Sequence, residues 1–156
     1  MSENSIVIYY SQSGVTRMIA KKIQKIIDSE IFEITSDRRY NSDMWKAYEE
    51  AKVEIETDNM PTICGELPDL RKYKKVYVGS PVWGGAPANP MKTFLRKIDF
   101  HGANVIPFWT FYDYEGNYEQ DIIKECRNAN PQSGFGITNQ LIHSGKLDEE
   151  LMKMII

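Results

Sequence analysis

Five short apolar segments, rich in β-branched and aromatic residues, alternate along the chain with segments of helical periodicity. They span residues 6–10, 31–34, 76–79, 105–109 and 135–137. The first, third and fourth are almost continuously apolar, which is typical of strands that are covered on both faces. Strands that alternate with helices predict an α/β fold with a doubly wound parallel sheet, right-handed crossovers and helices on both faces.

The segments between these strands carry the signals of amphipathic helices. The first apolar stripe consists of Val15, Met18, Ile19, Ile23, Ile26 and Ile27. In "ANPMKTFLRKI", Asn89 is the expected N-cap and Pro90 occupies the first helical position. Asn117, followed three residues later by Gln120, resembles a capping box. The last stripe consists of Leu147, Leu151, Met154 and Ile155.

Residues 36–74 are the irregular part of the pattern. They contain a predicted helix with Ser42 as its cap and one apolar face made of Met44, Ala47, Tyr48, Ala51 and Ile55. The stretch "NMPTICGELPDLRKY" that follows is interrupted by Pro and Gly and has little periodicity. We interpret it as a long surface connection inside one domain that covers residues 1–156, a length that allows a substantial core.

Composition and charge narrow the classes of function. Apolar residues make up 42% of the chain and charged residues 26%, as in an ordinary globular protein. The formal net charge of -3 gives no electrostatic reason to expect nucleic acid or an anionic membrane as a partner. No apolar run approaches the roughly 18 residues of a membrane span. Because "MSENSIVIYY" also lacks the features of a secretory signal, a cytoplasmic location is expected.

The cysteines and histidines form no metal-binding motif. Cys64 and Cys126 are far apart and belong to no CxxC pair, which favours structural thiols over a disulfide or a redox thiol. His101 and His143 also stand alone. The sequence therefore predicts no metal site.

Ligands of open parallel sheets bind beyond the carboxyl ends of the strands, and three loops fall there. The first loop, residues 11–16 ("SQSGVT"), leads directly into a helix, so backbone N–H groups and the positive end of the helix dipole converge. Gly14 allows close approach, and Ser11, Ser13 and Thr16 add hydroxyl groups. The loop lacks the Gly-Lys-Ser/Thr ending of nucleotide triphosphatases, and Arg17 is expected to point to solvent. It predicts a phosphate site of neutral donors, with ordinary turn and cap residues as the alternative.

The other two loops carry aromatic residues. The second loop, residues 79–90 ("GSPVWGGAPANP"), places Trp83 just beyond a strand end and follows it with Gly84 and Gly85. This arrangement is suited to presenting a flat face on which a planar ring could stack. The third loop, residues 110–118 ("TFYDYEGNY"), interleaves aromatic and acidic residues. Together the three loops predict a ligand with a phosphate and a planar ring system.

At these loops the chain resembles the flavodoxin family. "IVIYYSQSGVTRMIA" is similar to the first strand and phosphate loop of that family, usually Ser/Thr-x-Ser/Thr-Gly-x-Thr. "YVGSPVWGGAPANPMKTFL" resembles the strand and flavin-flanking loop of a branch with Gly-x-Pro-Ile-Trp-Trp-Gly. "VIPFWTFYDYEGN" resembles the Pro-Phe-x-Thr strand of the same branch. The resemblance implies a five-stranded parallel sheet in the flavodoxin-like order 2-1-3-4-5, with FMN at the switch between strands 1 and 3.

The resemblance also implies the residues that bind FMN. The phosphate is assigned to Ser11, Gln12, Ser13, Gly14, Val15 and Thr16. One side of the isoalloxazine is assigned to Pro81, Val82, Trp83, Gly84 and Gly85. The other edge of the ring or the ribityl chain is assigned to Thr110, Phe111, Tyr112, Asp113, Gly116 and Asn117. Two positions depart from the family pattern, because Val15 replaces a common Asn and Gly84 stands where a second Trp is usual.

The function that the resemblance implies is electron transfer through noncovalently bound FMN, one or two electrons at a time, between a reductase and an acceptor protein. An NAD(P)H-dependent quinone or flavin reductase that contains FMN is the first alternative. A flavin-free phosphate-binding regulatory module on the same fold is the second. In the carrier, Gly84 or Gly85 is expected to let a peptide carbonyl turn toward the flavin, and Asp113 and Glu115 are expected to lower its potential.

Overall fold

The computed structural model describes residues 4–156, which build a layered α/β structure around a central sheet. In chain order the strands are β1 (Ser5–Tyr9), β2 (Glu30–Glu33), β3 (Thr35–Ser36), β4 (Ile63–Cys64), β5 (Lys75–Trp83), β6 (Ala86–Pro87), β7 (Asn104–Phe111), β8 (Asn130–Pro131) and β9 (Phe135–Thr138). Within these residues the central sheet follows the order β2-β1-β5-β7-β8, with β9 also beside β7. These pairs are parallel, whereas β6 runs antiparallel to β5. β3 and β4 form a separate antiparallel ribbon.

The helices alternate with the strands of the central sheet. They are α1 (Val15–Ile27), α2 (Met44–Glu56), α3 (Asn89–Lys97), α4 (Tyr118–Glu125), α5 (Asn139–Ile142) and α6 (Leu147–Ile155), with a short 3-10 helix at Leu70–Lys72. The predicted α/β class with a parallel sheet is therefore confirmed. The central sheet of the described residues has seven strands instead of the predicted five. The two additional strands, β6 and β8, have two residues each. β6 folds back on β5, and β8 pairs with the beginning of β7.

Apolar residues of the strands point alternately to two separate cores. On one face, strand residues such as Val7 and Phe108 pack with Ile19 of α1 and Leu151 of α6. On the other face, the core contains Ile6, Ile8, Val76, Val78, Met91, Phe94, Leu95 and Ile122. Burial on both faces explains why the predicted strands are continuously apolar. All five predicted strands are present as β1, β2, β5, β7 and β9.

Three predicted helix caps differ from the structure. The N-cap of α3 is Ala88, because the side chain of Asn89 is buried and donates to other groups. Asp43, not Ser42, caps α2 by accepting from the N–H group of the residue two positions later at 2.9 Å. Asn117 does occupy the N-cap position of α4, but its side chain makes no capping hydrogen bond, so the predicted capping box is wrong.

The irregular segment is more ordered than a surface connection. Besides α2, it contains β3, β4 and the 3-10 helix, and it supplies the buried side chains of Ala51, Leu70 and Tyr73 to a core. The predicted apolar face of α2 is only partly correct, since Met44 and Ile55 are exposed. Met154 of α6 is likewise exposed. None of the helices in the described part of the chain is long and apolar enough to cross a membrane.

Candidate functional site

The three predicted loops meet at one edge of the sheet, beyond the carboxyl ends of β1, β5 and β7. The first and third loops are joined by Thr16 and Thr110, whose Oγ1 atoms lie 2.9 Å apart in a buried hydrogen bond. The second and third loops touch at two glycines: a Cβ on Gly116 would lie 2.6 Å from the Cα of Gly85. Each loop is therefore in direct contact with at least one other.

The first loop presents backbone donors at the start of α1. Gly14 is the N-cap, with φ +100, a conformation that favours glycine. Ser11 Oγ accepts hydrogen bonds from the N–H groups of Gly14 (3.1 Å) and Arg17 (3.2 Å). Within residues 4–156 no group accepts from the N–H groups of Val15 or Thr16. These donors and the helix dipole favour an anion at this point.

The other side chains of the first loop have different surroundings. Gln12 Nε2 donates to the carbonyl oxygen of Asn41, which links the loop to the segment before α2. Ser13 is exposed. Thr16 is only 2% exposed, and its hydroxyl is engaged with Thr110. Thr16 therefore supports the loop from inside the protein, while Ser13 faces solvent.

The side chain of Arg17 is 41% exposed at the surface, as predicted, but its guanidinium also pairs with Glu33 at the end of β2. Nη2 contacts Oε2, and Nε lies 3.3 Å from Oε1. The hydroxyl of Tyr9 donates to the same carboxylate at 2.9 Å. Burial opposes the ionised form of Glu33, but the hydrogen bonds from Arg17 and Tyr9 prevail and lower its pKa. Burial and the bond to this carboxylate raise the pKa of Tyr9 to about 12.

The second loop begins as a tight hairpin. β5 continues to Trp83, which pairs with Ala86 across a turn made of Gly84 and Gly85. The φ angles of these glycines are +59 and +80. Positive φ at both central residues is the geometry of a type I′ turn, which glycine adopts without strain. A Cβ on Gly84 would collide with the ring of Tyr48, so α2 packs directly on the turn.

Trp83 is buried and does not offer the open flat face that was predicted. Its side chain is 5% exposed. Its ring is edge-on to Tyr40, with centroids 4.8 Å apart, and to Tyr10, with centroids 5.9 Å apart. Pro81 and Val82, which precede it, are half-buried in β5. The segment before α2 covers the Trp83 indole. At this turn Gly84 is exposed, whereas Gly85 is buried.

A buried carboxylate that the sequence analysis missed holds this aromatic cluster. Glu54 of α2 is 8% exposed. Its oxygens accept from Arg38 Nη1 at 2.7 Å, from the hydroxyl of Tyr40 at 2.8 Å and from Asn89 Nδ2 at 2.8 Å. Burial and the carboxylate raise the pKa of Tyr40. The network connects α2, α3 and the ring that covers Trp83.

The third loop carries the exposed aromatic residues of the site. Tyr112 is 60% exposed and Tyr114 is 67% exposed, and the ring of Tyr114 packs against the glycine turn of the second loop. Both acids of this loop are exposed, and Glu115 also accepts a hydrogen bond from Trp109 Nε1 at 2.8 Å. A cavity of about 210 Å³ adjoins this loop at the start of α4.

Ser80 and Tyr118, which the sequence analysis also missed, join the second and third loops through a buried hydrogen bond. Ser80 is fully buried, and its Oγ lies 2.9 Å from the hydroxyl of Tyr118 and accepts from the N–H group of Ala88 at 3.2 Å. Burial raises the pKa of Tyr118. Of the remaining predicted residues of the third loop, Thr110 is buried, Phe111 is half-buried, and Gly116 and Asn117 are exposed.

Comparison with known proteins identifies the family of the chain. The model of the flavodoxin family matches residues 4–154. The chain belongs to the flavodoxin family. No curated protein matches this flavodoxin.

Solved structures similar to this flavodoxin include proteins from Lactobacillus and Bacteroides. The flavoprotein from Lactobacillus acidophilus NCFM in complex with FMN is 27% identical, with a TM-score of 0.78 over 95% of this chain and 98% of that chain. An apo-form flavoprotein from the same organism is 28% identical, with a TM-score of 0.68 over 92% of this chain and 97% of that chain. A protein from Bacteroides uniformis ATCC 8492 is 23% identical, with a TM-score of 0.78 over 99% of each chain, which supports the fold alone.

The residues of this flavodoxin fit the two ends of FMN. At the first loop, the Oγ of Ser11 already accepts two N–H groups, which leaves its own proton to donate outward. The loop contains no carboxylate that would repel a phosphate. At the ring end, the exposed ring of Tyr112 and the backbone of Gly84 supply surface for a planar group.

Proposed function

We propose that this flavodoxin, as a single domain over residues 1–156, binds FMN and transfers one or two electrons between redox partner proteins. The start of α1 carries the proposal: Gly14 has φ +100, and no described residue accepts from the N–H groups of Val15 and Thr16. FMN ends in a phosphate monoester, the class of ligand that such a helix terminus favours. Family membership and the FMN bound by the similar flavoprotein from Lactobacillus acidophilus support the same ligand.

The proposed phosphate site is the first loop, but its residues have different roles. Its members are Ser11, Gln12, Ser13, Gly14, Val15 and Thr16. Backbone N–H groups and the hydroxyls of Ser11 and Ser13 donate to the phosphate. Thr16 acts as a support, because its hydroxyl is buried against Thr110. Gln12 positions the loop through its bond to Asn41.

The proposed ring site lies between the second and third loops. The second loop contributes Pro81, Val82, Trp83, Gly84 and Gly85. The third loop contributes Thr110, Phe111, Tyr112, Asp113, Gly116 and Asn117. We assign the stacking role to Tyr112, because its ring is exposed and does not pack on the glycine turn as Tyr114 does. Trp83 acts from inside the core by supporting that turn.

Bound FMN supplies the redox chemistry, because its ring accepts and releases electrons singly or in pairs. The chain contributes binding, orientation and electrostatics. The positive φ of Gly84 and Gly85 lets the peptide between them reorient at little steric cost, so its carbonyl can turn toward the ring. The carboxylates of Asp113 and Glu115 at the rim disfavour additional negative charge on the ring and lower its potential.

The acidic character of the chain favours a carrier over a reductase. The formal net charge is -3, and Asp113 and Glu115 are both exposed at the rim of the proposed ring site. Exposed carboxylates at that position are suited to docking a partner protein with a basic surface. We therefore propose that electrons pass to and from a reductase and an acceptor protein at the exposed edge of the ring.

The finer features of fold and location follow the same proposal. We infer that β8 and β9 together fill the fifth position of the flavodoxin-like order 2-1-3-4-5, beside β7 as the fourth.

We also propose a cytoplasmic location. The thiols of Cys64 and Cys126 are unpaired, which suits a reducing compartment.

Flavin retention tests the proposed function. The purified chain is incubated with excess FMN and desalted, and its visible spectrum is recorded before and after anaerobic addition of NADPH. We expect roughly one equivalent of FMN to remain bound and NADPH alone not to bleach it. Ser13→Asp, which places a carboxylate in the first loop, is expected to abolish retention. Ser133→Asp, on an exposed loop elsewhere, is the matched control.

Each other outcome has a definite meaning. Bleaching by NADPH alone would contradict the carrier and favour the reductase. A wild-type protein that stays colourless would contradict FMN binding and favour a flavin-free module. Equal retention by the Ser13→Asp and Ser133→Asp variants would contradict the assignment of the phosphate site to the first loop.

A further inference from the structure

Arg17 and Glu33 form an ion pair beside the first loop that the proposed phosphate site does not use. The Nη1 atom of Arg17 lies 3.7 Å from the position that a Cβ on Gly14 would take, so a cation adjoins the N-cap of α1. Its Nε lies 3.3 Å from Glu33 Oε1, and its Nη2 contacts Oε2. The two side chains are 41% and 33% exposed, which places the pair at the surface of the site.

Glu33 is held in place from a second direction. It is the last residue of β2 and pairs in register with Tyr9 of β1. The hydroxyl of Tyr9 donates to Glu33 Oε1 at 2.9 Å. Because Tyr9 is 3% exposed, the core fixes this donor. A carboxylate fixed by its strand and by a core hydroxyl also fixes the guanidinium that binds it.

The pair removes a charge that the first loop could otherwise use. A phosphate monoester carries about -1.5 to -2 charges at neutral pH, and an arginine is the side chain best suited to bind it. Here the positive charge of Arg17 is opposed by Glu33 at hydrogen-bond distance. The field of a close ion pair falls off faster than that of a single charge, so little of the attraction reaches the loop.

We propose that Glu33 is a positioning residue that sets the affinity of the first loop for phosphate by holding Arg17 in a neutral pair. The inference rests on the proposed function, since the phosphate in question is that of FMN. A pair with only a structural role would not distinguish FMN from riboflavin, which has the same ring and no phosphate. At this degree of exposure, such a pair also contributes little to stability.

The test compares the dissociation constants of FMN and riboflavin, measured by titration with the full chain at low and at physiological salt. The variants are Glu33→Gln, Arg17→Gln and the double variant. The matched controls are Glu125→Gln and Arg96→Gln. These two residues form a pair of the same type between α3 and α4, with Nη2 and Oε2 2.7 Å apart. They lie at the carboxyl ends of those helices, away from the first loop.

We expect Glu33→Gln to bind FMN about fivefold more tightly than wild type at low salt, which corresponds to about 1 kcal/mol. Arg17→Gln is expected to bind FMN more weakly by a similar factor, because the negative charge of Glu33 is no longer opposed by the guanidinium. The double variant returns toward wild type, and the differences shrink as salt rises. Riboflavin binding stays the same in all variants, and the two control variants bind both ligands as wild type does.

Two results would overturn the inference while leaving FMN binding intact. One is that Glu33→Gln and Arg17→Gln leave the ratio of FMN to riboflavin affinity unchanged. The other is that Glu125→Gln and Arg96→Gln change this ratio as much as Glu33→Gln and Arg17→Gln do. Failure of wild type to bind either FMN or riboflavin would instead overturn the proposed function, and the inference with it.

Discussion

The Oγ1 atoms of Thr16 and Thr110 are 2.9 Å apart, and both side chains are almost completely buried. This hydrogen bond joins the first turn of α1 to the end of β7, so the first and third loops are held at a fixed separation. The separation matters because the two loops are proposed to bind opposite ends of one ligand. Thr16 and Thr110 therefore contribute to the site through position more than through direct contact.

Loss of one hydroxyl of this pair is expected to leave the other buried without a partner. We expect Thr16→Val or Thr110→Val to lower the free energy of unfolding by about 1–3 kcal/mol and to weaken FMN binding. The double variant removes both polar groups and is expected to recover part of the stability. Urea unfolding followed by circular dichroism measures these differences.

Thr57→Val is the control for this pair. Its hydroxyl is exposed and donates to the carbonyl oxygen of Val53 at 2.7 Å. We expect its effect to stay within about 0.5 kcal/mol. The role assigned to the buried bond would be contradicted if the double variant Thr16→Val, Thr110→Val lost more free energy of unfolding than the two single variants lose together.

The glycine turn of the second loop gives a prediction with an internal control. Gly84 has φ +59, and a Cβ there would collide with the ring of Tyr48. Gly65 has φ +83, and no atom lies within 4 Å of the position that its Cβ would take. The cost of Gly65→Ala therefore comes from backbone strain alone. We expect Gly65→Ala to cost about 1–2 kcal/mol and Gly84→Ala to cost more. Thermal unfolding of both variants measures the difference.

Adding Tyr48→Ala to Gly84→Ala checks the physical cause. Removal of the ring relieves the collision, so the double variant is expected to lose less stability than the two single variants together. Strict additivity would show that Tyr48 does not restrict the turn. If Gly65→Ala and Gly84→Ala lost the same amount of stability, the collision with Tyr48 would also be contradicted.

The elements of the fold could be predicted because burial on both faces leaves a local pattern. Ile6 and Val7 are neighbours that belong to different cores, so the strand has no polar alternation. The three loops could be predicted for a similar reason, since they follow strands of one parallel sheet. Both the apolar pattern of the strands and the position of the three loops after them can be read from short stretches of the chain.

The environment of the site could not be predicted in the same way, because it depends on contacts between distant segments. Trp83 follows a strand and resembles an exposed plate in sequence, but Tyr40 covers it. The signal for Glu54 was present but was not used. It follows Ala47 and Ala51 at helical spacing, so a charged residue stands in the buried stripe of α2. A charge in that position requires buried partners.

Glu54 gives the third prediction. Glu54→Gln removes the closer of the two carboxylates that pair with Arg38, since Asp37 Oδ1 lies 3.6 Å from Arg38 Nε, and it weakens the anchor of Tyr40. Breaking a buried pair costs about 3–5 kcal/mol. Because the side chain of Arg38 is 28% exposed, we expect a smaller loss, about 2 kcal/mol. The near-UV circular dichroism is also expected to change, since Tyr40 packs on Trp83.

Glu56→Gln is the matched control, because it makes the same substitution at an exposed position of the same helix. We expect it to change the free energy of unfolding by no more than about 0.5 kcal/mol and to leave the near-UV spectrum unchanged. If both variants behaved alike, Glu54 would have no special role in holding the aromatic cluster.

Alkaline pH is expected to destabilise the protein through its buried tyrosines. Burial raises the pKa of Tyr9, Tyr10 and Tyr73 from 10.0 to about 12. A tyrosine whose pKa is higher in the folded state stabilises the fold fully below pH 10, and this contribution is lost as the pH rises from 10 to 12. Between these values the folded state binds more protons than the unfolded state. Each such tyrosine then lowers the free energy of unfolding by at most about 1.4 kcal/mol per pH unit.

Tyr10→Phe isolates one of these groups, because it keeps the ring that packs on Trp83. We expect the variant to show a shallower loss of stability above pH 10, by the slope of one tyrosine. Urea unfolding at a series of pH values measures both slopes. An unchanged slope in Tyr10→Phe would mean that the hydroxyl reaches solvent in the folded state. The aromatic cluster around Trp83 would then be more open than its 5% exposure indicates, and the support proposed for the glycine turn would have to come from α2 alone.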